Sequence, residues 1–308
     1  MTQLAVPRAG RSPLGRLVGL ADRWSAPLMV GPALLLYLIM LVVPVVLALY
    51  LSLTDWDGYS PDPAFIGAAN YLELIKDQEV LTAAGVTLLV AVVGTIGLNV
   101  CGLGLALLVG KAGRLNSFFR MVLFYPHVLS ALVVGFLWGA ILGSNGVVNG
   151  FLTQQGAEVL PFLARPNWAV ATMIAVLIWA GFGVNMVLYV AGLQTVSQDL
   201  LEAARIDGAG RFRVFTHVTF PSLAPVVTIN LVLSLVTLLK TYDLVVSLTG
   251  GGPAGATQTA AYLILTESFR NSELGFGSAQ SVVLMVITGV LALSVARLRA
   301  RADAGVRA

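Results

Sequence analysis

Residues 80 to 110 read VLTAAGVTLLVAVVGTIGLNVCGLGLALLVG, thirty-one positions between Glu79 and Lys111 without one Asp, Glu, Lys or Arg. A helix needs only about 20 such residues to cross a bilayer. Outward from this stretch the same gap recurs: Arg23 to Asp55, Arg120 to Glu158, Arg165 to Asp199, Arg213 to Lys240, Asp243 to Glu267 and Glu273 to Arg297. The whole chain of 308 residues is 57% hydrophobic and 11% charged, with a mean hydropathy of +0.88. Soluble domains carry about a quarter charged residues. The reading is an all-α, polytopic membrane protein.

Six spans are expected, near residues 29 to 52, 80 to 109, 119 to 142, 168 to 193, 223 to 248 and 275 to 296. The gap from Asp243 to Glu267 adds no span, because Gly250, Gly251, Gly252, Pro253 and Gly255 break a helix there. An even count puts both termini on one side. Fourteen of the eighteen cations then share that side: Arg8, Arg11, Arg16 and Arg23; Lys111, Arg114 and Arg120; Arg205, Arg211 and Arg213; Arg297, Arg299, Arg301 and Arg307. The positive-inside rule makes it the cytoplasm. The expected organisation is a cytoplasmic segment over 1 to 28, a transmembrane domain over 29 to 297 and a basic tail over 298 to 308. The apolar stretch after the basic start is too long for a signal peptide and reads as an uncleaved first span. The outer connections, 53 to 79, 143 to 167 and 249 to 274, are too short to fold as a receptor domain.

Composition excludes other classes. The one cysteine, Cys101, lies inside an apolar run, which leaves no disulfide framework and no Cys-based zinc site. His127 and His217 are far apart and form no HExxH spacing, so no metal site is expected. The net charge of +3 is placed by topology at the membrane surface, against lipid rather than nucleic acid.

Within the spans, three patterns carry chemistry. Gly135, Gly139 and Gly143 put three missing side chains on one face of span three, a surface for close helix packing, and Pro126 predicts a kink early in that span. Asn230, Ser234, Thr237 and Thr241 follow at steps of four, three and four in span five and give it one polar face. That face either hydrogen-bonds to other helices or lines a path. In span four Gly181, Gly183 and Asn185 interrupt an apolar run, with Gly181 and Asn185 on one face. They mark either packing or a local opening of the helix onto a cavity. Lys240 and Asp243 follow near the outer end of span five, as an ion pair or an interface anchor.

The internal loop from Gln194 to Ser222 is long for a connection. Asp199 with Glu202 three residues on suits an N-cap with its capping-box partner, and Gly208 suits a C-terminal stop. About two helical turns over Leu200 to Asp207 are expected, with Ala203 and Ala204 leaving a face without bulk and Glu202 and Arg205 at its margin. Such an element outside the bilayer looks like a docking helix or an ordinary interfacial one. Phe212, Phe215, Phe220 and Pro221 would anchor its return.

These residues carry a resemblance. Glu202-Ala203-Ala204, three residues, Gly208, nine residues, then Val218-Thr219-Phe220-Pro221 resembles the EAA signature of membrane subunits of ATP-binding-cassette importers, with Val218 for Ile and Phe220 for Leu. Asp207-Gly208-Ala209 resembles the form of the carbohydrate-importer branch. So do Phe119-Arg120 through Phe124-Tyr125-Pro126, then Trp138, Gly146 and Asn149. Tyr242-Asp243 and Leu248-Thr249-Gly250-Gly251-Gly252-Pro253 resemble the permease type similar to the larger maltose-transporter permease.

The resemblance, over roughly residues 30 to 300, implies a type I importer permease fold. It also implies a plasma-membrane heterodimer with a second homologous permease, two cytoplasmic ATP-binding subunits and an extracytoplasmic solute-binding protein. ATP and Mg would be bound by the partner ATPase and no cofactor by this chain. The nearest P-loop-like string, Gly104 to Gly110-Lys111-Ala112, has one residue too many and no hydroxyl. Glu202, Ala203, Ala204, Asp207 and Gly208 would form the ATPase-coupling helix. Gly181, Asn185, Ser234, Thr237 and Thr241 would line the substrate path, where hydroxyl and amide groups suit sugars. No catalytic residues are implied. An ion-coupled secondary transporter would instead carry internal repeats and buried ionisable groups, and an intramembrane enzyme clustered nucleophiles or bases; neither pattern is evident.

Overall fold

The structure is a computed structural model that describes residues 30 to 307. The expected N-terminal segment over 1 to 28, with its four arginines, lies outside the described residues. The described chain is helical, apart from an isolated bridge between Thr54 and Phe65.

Five stretches are long and apolar enough to cross a bilayer: Val30–Leu51 (α1), Gln78–Val109 (α3), Ala131–Gln154 (α5, Ala131–Leu142, and α6, Val147–Gln154), Pro166–Gln194 (α7) and Leu274–Leu298, the apolar part of α13 (Leu274–Arg307). The sixth is a bent pair, Arg211–Ser222 (α9) and Ala224–Leu239 (α10), turned by 67°. The remaining helices are Ala69–Leu74 (α2), Arg114–Val128 (α4), Gln198–Ile206 (α8), Asp243–Leu248 (α11) and Ala260–Phe269 (α12).

The local causes are legible. Asp77 caps α3 by accepting from the backbone N–H of Glu79 at 2.7 Å and Val80 at 3.2 Å. Two π-turns, Leu38–Val42 in α1 and Phe215–Thr219 in α9, each end two residues before a proline, Pro44 and Pro221. A proline has no N–H and crowds the carbonyl four residues back, and a wider turn ahead of it relieves that clash. Pro225, a second proline four residues after Pro221, also lacks an N–H to donate; the chain bends between them, around the fully buried Leu223.

Two expected spans differ. Span three is not one helix from 119 to 142: α4 begins at Arg114, and the chain leaves helical geometry at Leu129 and Ser130, with ψ of 141° and 140°. The proline at 126 therefore precedes a break rather than a kink. Span five is broken too, since α10 ends at Leu239 and Tyr242 (φ −132°, ψ −57°) starts the separate α11. The glycine face of span three is only partly used. A side chain on Gly135 would collide with Ser247 of α11, whereas nothing lies within 4 Å of the Cβ direction of Gly139.

At the centre α3, α7 and α10 pack together, with α11 seated against α5. One apolar core gathers Val90, Leu98, Met173, Leu238 and Val245; a second gathers Ala106, Met186, Tyr189, Val190, Val196 and Leu223. Close approach depends on missing side chains: a Cβ on Gly102 would sit 3.0 Å from the Met186 backbone, and one on Gly183 2.9 Å from Phe124 Cα. None of α1 is buried, and it packs on α13.

The outer connections hold structure of their own. Asn70 donates to the carbonyls of Ser52 and Thr54, both at 2.9 Å, and Gly275 N–H donates to Trp56 O at 2.8 Å. Asn149 latches the next connection to Leu160 through a pair of hydrogen bonds of 2.9 and 3.0 Å. The glycine turn after α11 is tied by Thr257 Oγ1 to Gly252 O at 2.8 Å and by Tyr262 Oη to Gly250 O at 2.8 Å.

Candidate functional site

The loop between α7 and α9 is built around α8. Ser197 sits at its N-cap position without a side-chain bond, so the cap is not Asp199, which lies in the first turn, where an acid suits the helix dipole; Arg205 suits the last turn. The C-terminal stop is as expected. Gly208 adopts φ +77°, its N–H donates to Arg205 O at 3.0 Å, and Ala209 N–H donates to Ala204 O at 3.0 Å. That pair of bonds is a Schellman closure, and it needs a left-handed residue where glycine stands.

The second apolar core fixes where α8 sits. Val196, just ahead of the helix, is 5% exposed in that core, and Leu201 packs against it. The opposite surface is bare: Glu202, Ala203, Asp207 and Gly208 are exposed, Ala204 is half-buried, and Ile206 is 86% exposed. The predicted aromatic anchor is only partly right. Phe215 and Phe220 pair at 5.9 Å, whereas Phe212 is 80% exposed. A short, fixed helix that presents Ala203 and Ile206 beside the charges of Glu202, Arg205 and Asp207 can seat in a complementary cleft of another protein.

Of the predicted path residues, the structure brings together Asn185 of α7 and Ser234 of α10, whose side chains meet at 2.9 Å with the amide donating. Both are buried. Gly181 lies one turn away in α7, where a Cβ would be 2.8 Å from Leu98 Cδ2. There α7 is an unbroken helix, so this glycine serves packing against α3 and there is no local opening. Thr237 is exposed, and Thr241 is buried at the break after α10, its carbonyl accepting from Thr259 Oγ1 at 2.6 Å. The break takes Thr241 off the helical stripe.

Sequence reasoning missed the continuation of this polar seam. Tyr189 donates to Asn99 Oδ1 at 2.7 Å, and Asn99 donates to Thr95 O at 2.8 Å. Asn230, on the expected polar face of span five, is 1% exposed with neither amide atom hydrogen-bonded. The available signal was the presence of Asn99, an amide inside a charge-free stretch. A second missed feature is a groove of about 630 Å³ between α10, α12 and α13, which Lys240 and Tyr242 line. Among the described residues no three of His, Cys, Asp and Glu gather where a metal ion could sit.

Residues 99–308 match the family described as the binding-protein-dependent transport system inner membrane component. The chain belongs to that family. This permease is 32% identical over 272 residues to the probable starch degradation products transport system permease protein of Thermoanaerobacterium thermosulfurigenes, covering 86% of this chain and 90% of that one. It is 34% identical over 278 residues to the sn-glycerol-3-phosphate transport system permease protein of Agrobacterium fabrum, covering 88% and 92%. In fold the permease superposes, with a TM-score of 0.80 and 23% identity, on a chain from the crystal structure of a bacterial ABC transporter involved in the import of the acidic polysaccharide alginate, over 93% of this chain and 99% of that one. The fold is that of a type I ABC importer permease, and the protein is a multi-pass inner-membrane component.

Proposed function

We propose that this chain is one of two permeases of an ATP-driven importer of sugars or related solutes, working with a solute-binding protein outside the membrane and two ATP-binding subunits inside. The observation that carries it is α8. It is rigidly closed by the Gly208 turn, anchored through Val196 and Leu201, and presents Glu202, Ala203 and Ile206 outward. In this reading Glu202 meets a cation of the ATPase, Ala203, Ala204 and Gly208 permit close seating, and Asp207 belongs to the same coupling surface. ATP and Mg belong to that partner. Both termini are cytoplasmic, the side to which the basic loops point.

Closure of the ATPase dimer moves α8. Because α8 is tied into the core that contains Met186, Tyr189 and Leu223, its movement is transmitted to α7 and to the bend between α9 and α10. Asn185 and Ser234 then exchange their mutual hydrogen bond for bonds to solute hydroxyls, with Thr237 and Thr241 further along and Gly181 letting α7 shift against Leu98. The class of solute is drawn from relatives named for starch degradation products and sn-glycerol-3-phosphate. The second permease completes the cavity.

The test is co-purification with the genomically adjacent permease and ATPase in lipid nanodiscs, with ATPase activity read against the adjacent binding protein across a panel of sugars and glycerophosphodiesters. Solute-dependent stimulation that vanishes on changing Glu202 and Ala203 supports the reading. A stable chain that recruits no ATPase overturns it.

A further inference from the structure

The groove between α10, α12 and α13 has a chemistry that the hydroxyl-and-amide path does not explain. Val236, Lys240 and Tyr242 form one wall; Ser281, Met285 and Thr288 form another. Lys240 is exposed and lines it, and its ammonium has no hydrogen bond or ion pair among the described residues. Asp243, three residues on, forms no ion pair with it, contrary to one sequence expectation. Thr288 is 6% exposed, yet its hydroxyl has no partner. That is unusual in a helix, where a Thr hydroxyl commonly bonds the carbonyl one turn back, as Ser281 does to Gly277 O at 2.9 Å.

The inventory is one-sided. The Lys240 ammonium and the Tyr242 and Thr288 hydroxyls are free to donate, and no Asp or Glu lines the groove. A buried hydroxyl is costly unless it is bonded, and an exposed lysine at the end of a span is drawn to negative charge within its reach. A ligand that supplies acceptors and negative charge would satisfy both at once.

We propose that this groove is an anion subsite of the translocation path, which takes the carboxylate, phosphate or sulfonate group of an acidic sugar or polyol. The proposal rests on the importer reading and narrows its substrate class. The shared chemistry also describes a lipid headgroup phosphate, so the test must separate a solute from a lipid.

The experiment uses the assembled importer with its binding protein in proteoliposomes and matched labelled probes: glycerol 3-phosphate against glycerol, and methyl glucuronide against methyl glucoside. At least one acidic probe should be taken up in preference to its neutral partner. Lys240→Gln should lower that acidic-to-neutral ratio by about tenfold or more, the loss expected of one charge-assisted hydrogen bond. Lys240→Arg, which keeps the charge, should restore most of it, and Thr288→Val should lower it less. Uptake of neutral probes alone, or an acidic-to-neutral ratio that Lys240→Gln leaves within about twofold, would overturn the subsite. An effect of Lys240→Gln that follows the anionic-lipid content of the vesicles and not the charge of the solute would assign the groove to a headgroup and overturn it equally. Failure to recruit any ATPase would fail the importer reading itself, and with it the subsite, and is seen separately at the purification step.

Discussion

The 2.9 Å contact between Asn185 and Ser234 joins two helices at a buried point where water is not at hand. Removing one partner leaves the other without its bond, which in membrane proteins costs about 0.6 kcal/mol on average and up to about 1.7 kcal/mol. Asn185→Ala should therefore lower thermal stability in nanodiscs by about 1 kcal/mol, and Ser234→Ala by somewhat less, measured by unfolding midpoint. The loss in uptake should exceed what either loss of stability explains. Outside the spans, burial holds the Glu267 carboxyl above its usual range; the Asn271 amide at 3.1 Å opposes this, and neighbouring Glu273 adds to it. A carboxyl raised in this way holds its proton more tightly folded than unfolded, so it contributes stability at low pH that is lost as pH rises from 4.5 through the raised folded value. Glu267→Gln should flatten that part of the stability–pH curve and leave the protein more stable near neutrality, which a series of melting curves would check. A flat wild-type curve over that interval would count against it.

At the scale of elements, α8 is the part whose stiffness the proposed coupling to an ATPase depends on. Its nine residues are too few to hold a helix alone, and its shape depends on the Schellman closure at Gly208 and on Val196 and Leu201 in the core. Ala203→Pro removes an intrahelical bond at a cost of about 3 kcal/mol and should uncouple ATP turnover from uptake while the spans remain folded, as judged by complex recovery. Uptake at the wild-type rate would refute the assignment of this loop. Gly208→Val forces a β-branched residue to φ +77° and should act in the same direction with a smaller loss, since left-handed geometry costs about 1–2 kcal/mol. Pro221 is also an element-scale residue: the π-turn ahead of it and the 67° bend after it convert the end of the loop into the entry of a span.

At the scale of the molecule, α1 has no buried residue, and the apolar window of α13 buries little, so these faces meet either lipid or another bundle of helices. If the proposed second permease exists, co-expression with it should raise recovery and the melting temperature of this chain in nanodiscs, and an unchanged melting temperature would argue that the exposed faces meet lipid only. The charge-free stretches by themselves determined the all-helical, six-span plan, because a bilayer demands long runs without Asp, Glu, Lys or Arg. The run from Asp199 to Pro221 likewise determined the short helix and its glycine stop, because capping and left-handed geometry are set by neighbours a few residues apart. Its N-cap was placed two residues late, since Ser197 and Asp199 are both good capping residues and local sequence does not rank them. The break at Leu129–Ser130 was not legible, because apolar composition continues through it, whereas the break at Lys240–Tyr242 falls on the polar run Lys240, Thr241, Tyr242 and Asp243, which the expected span five carries inside it. Tertiary structure alone paired Asn185 with Ser234, 49 residues away, and assembled Lys240, Tyr242 and Thr288 around one groove. Hydropathy records whether a residue can enter the membrane; which buried polar groups meet there is fixed by helix packing, and that depends on side chains far apart in the chain.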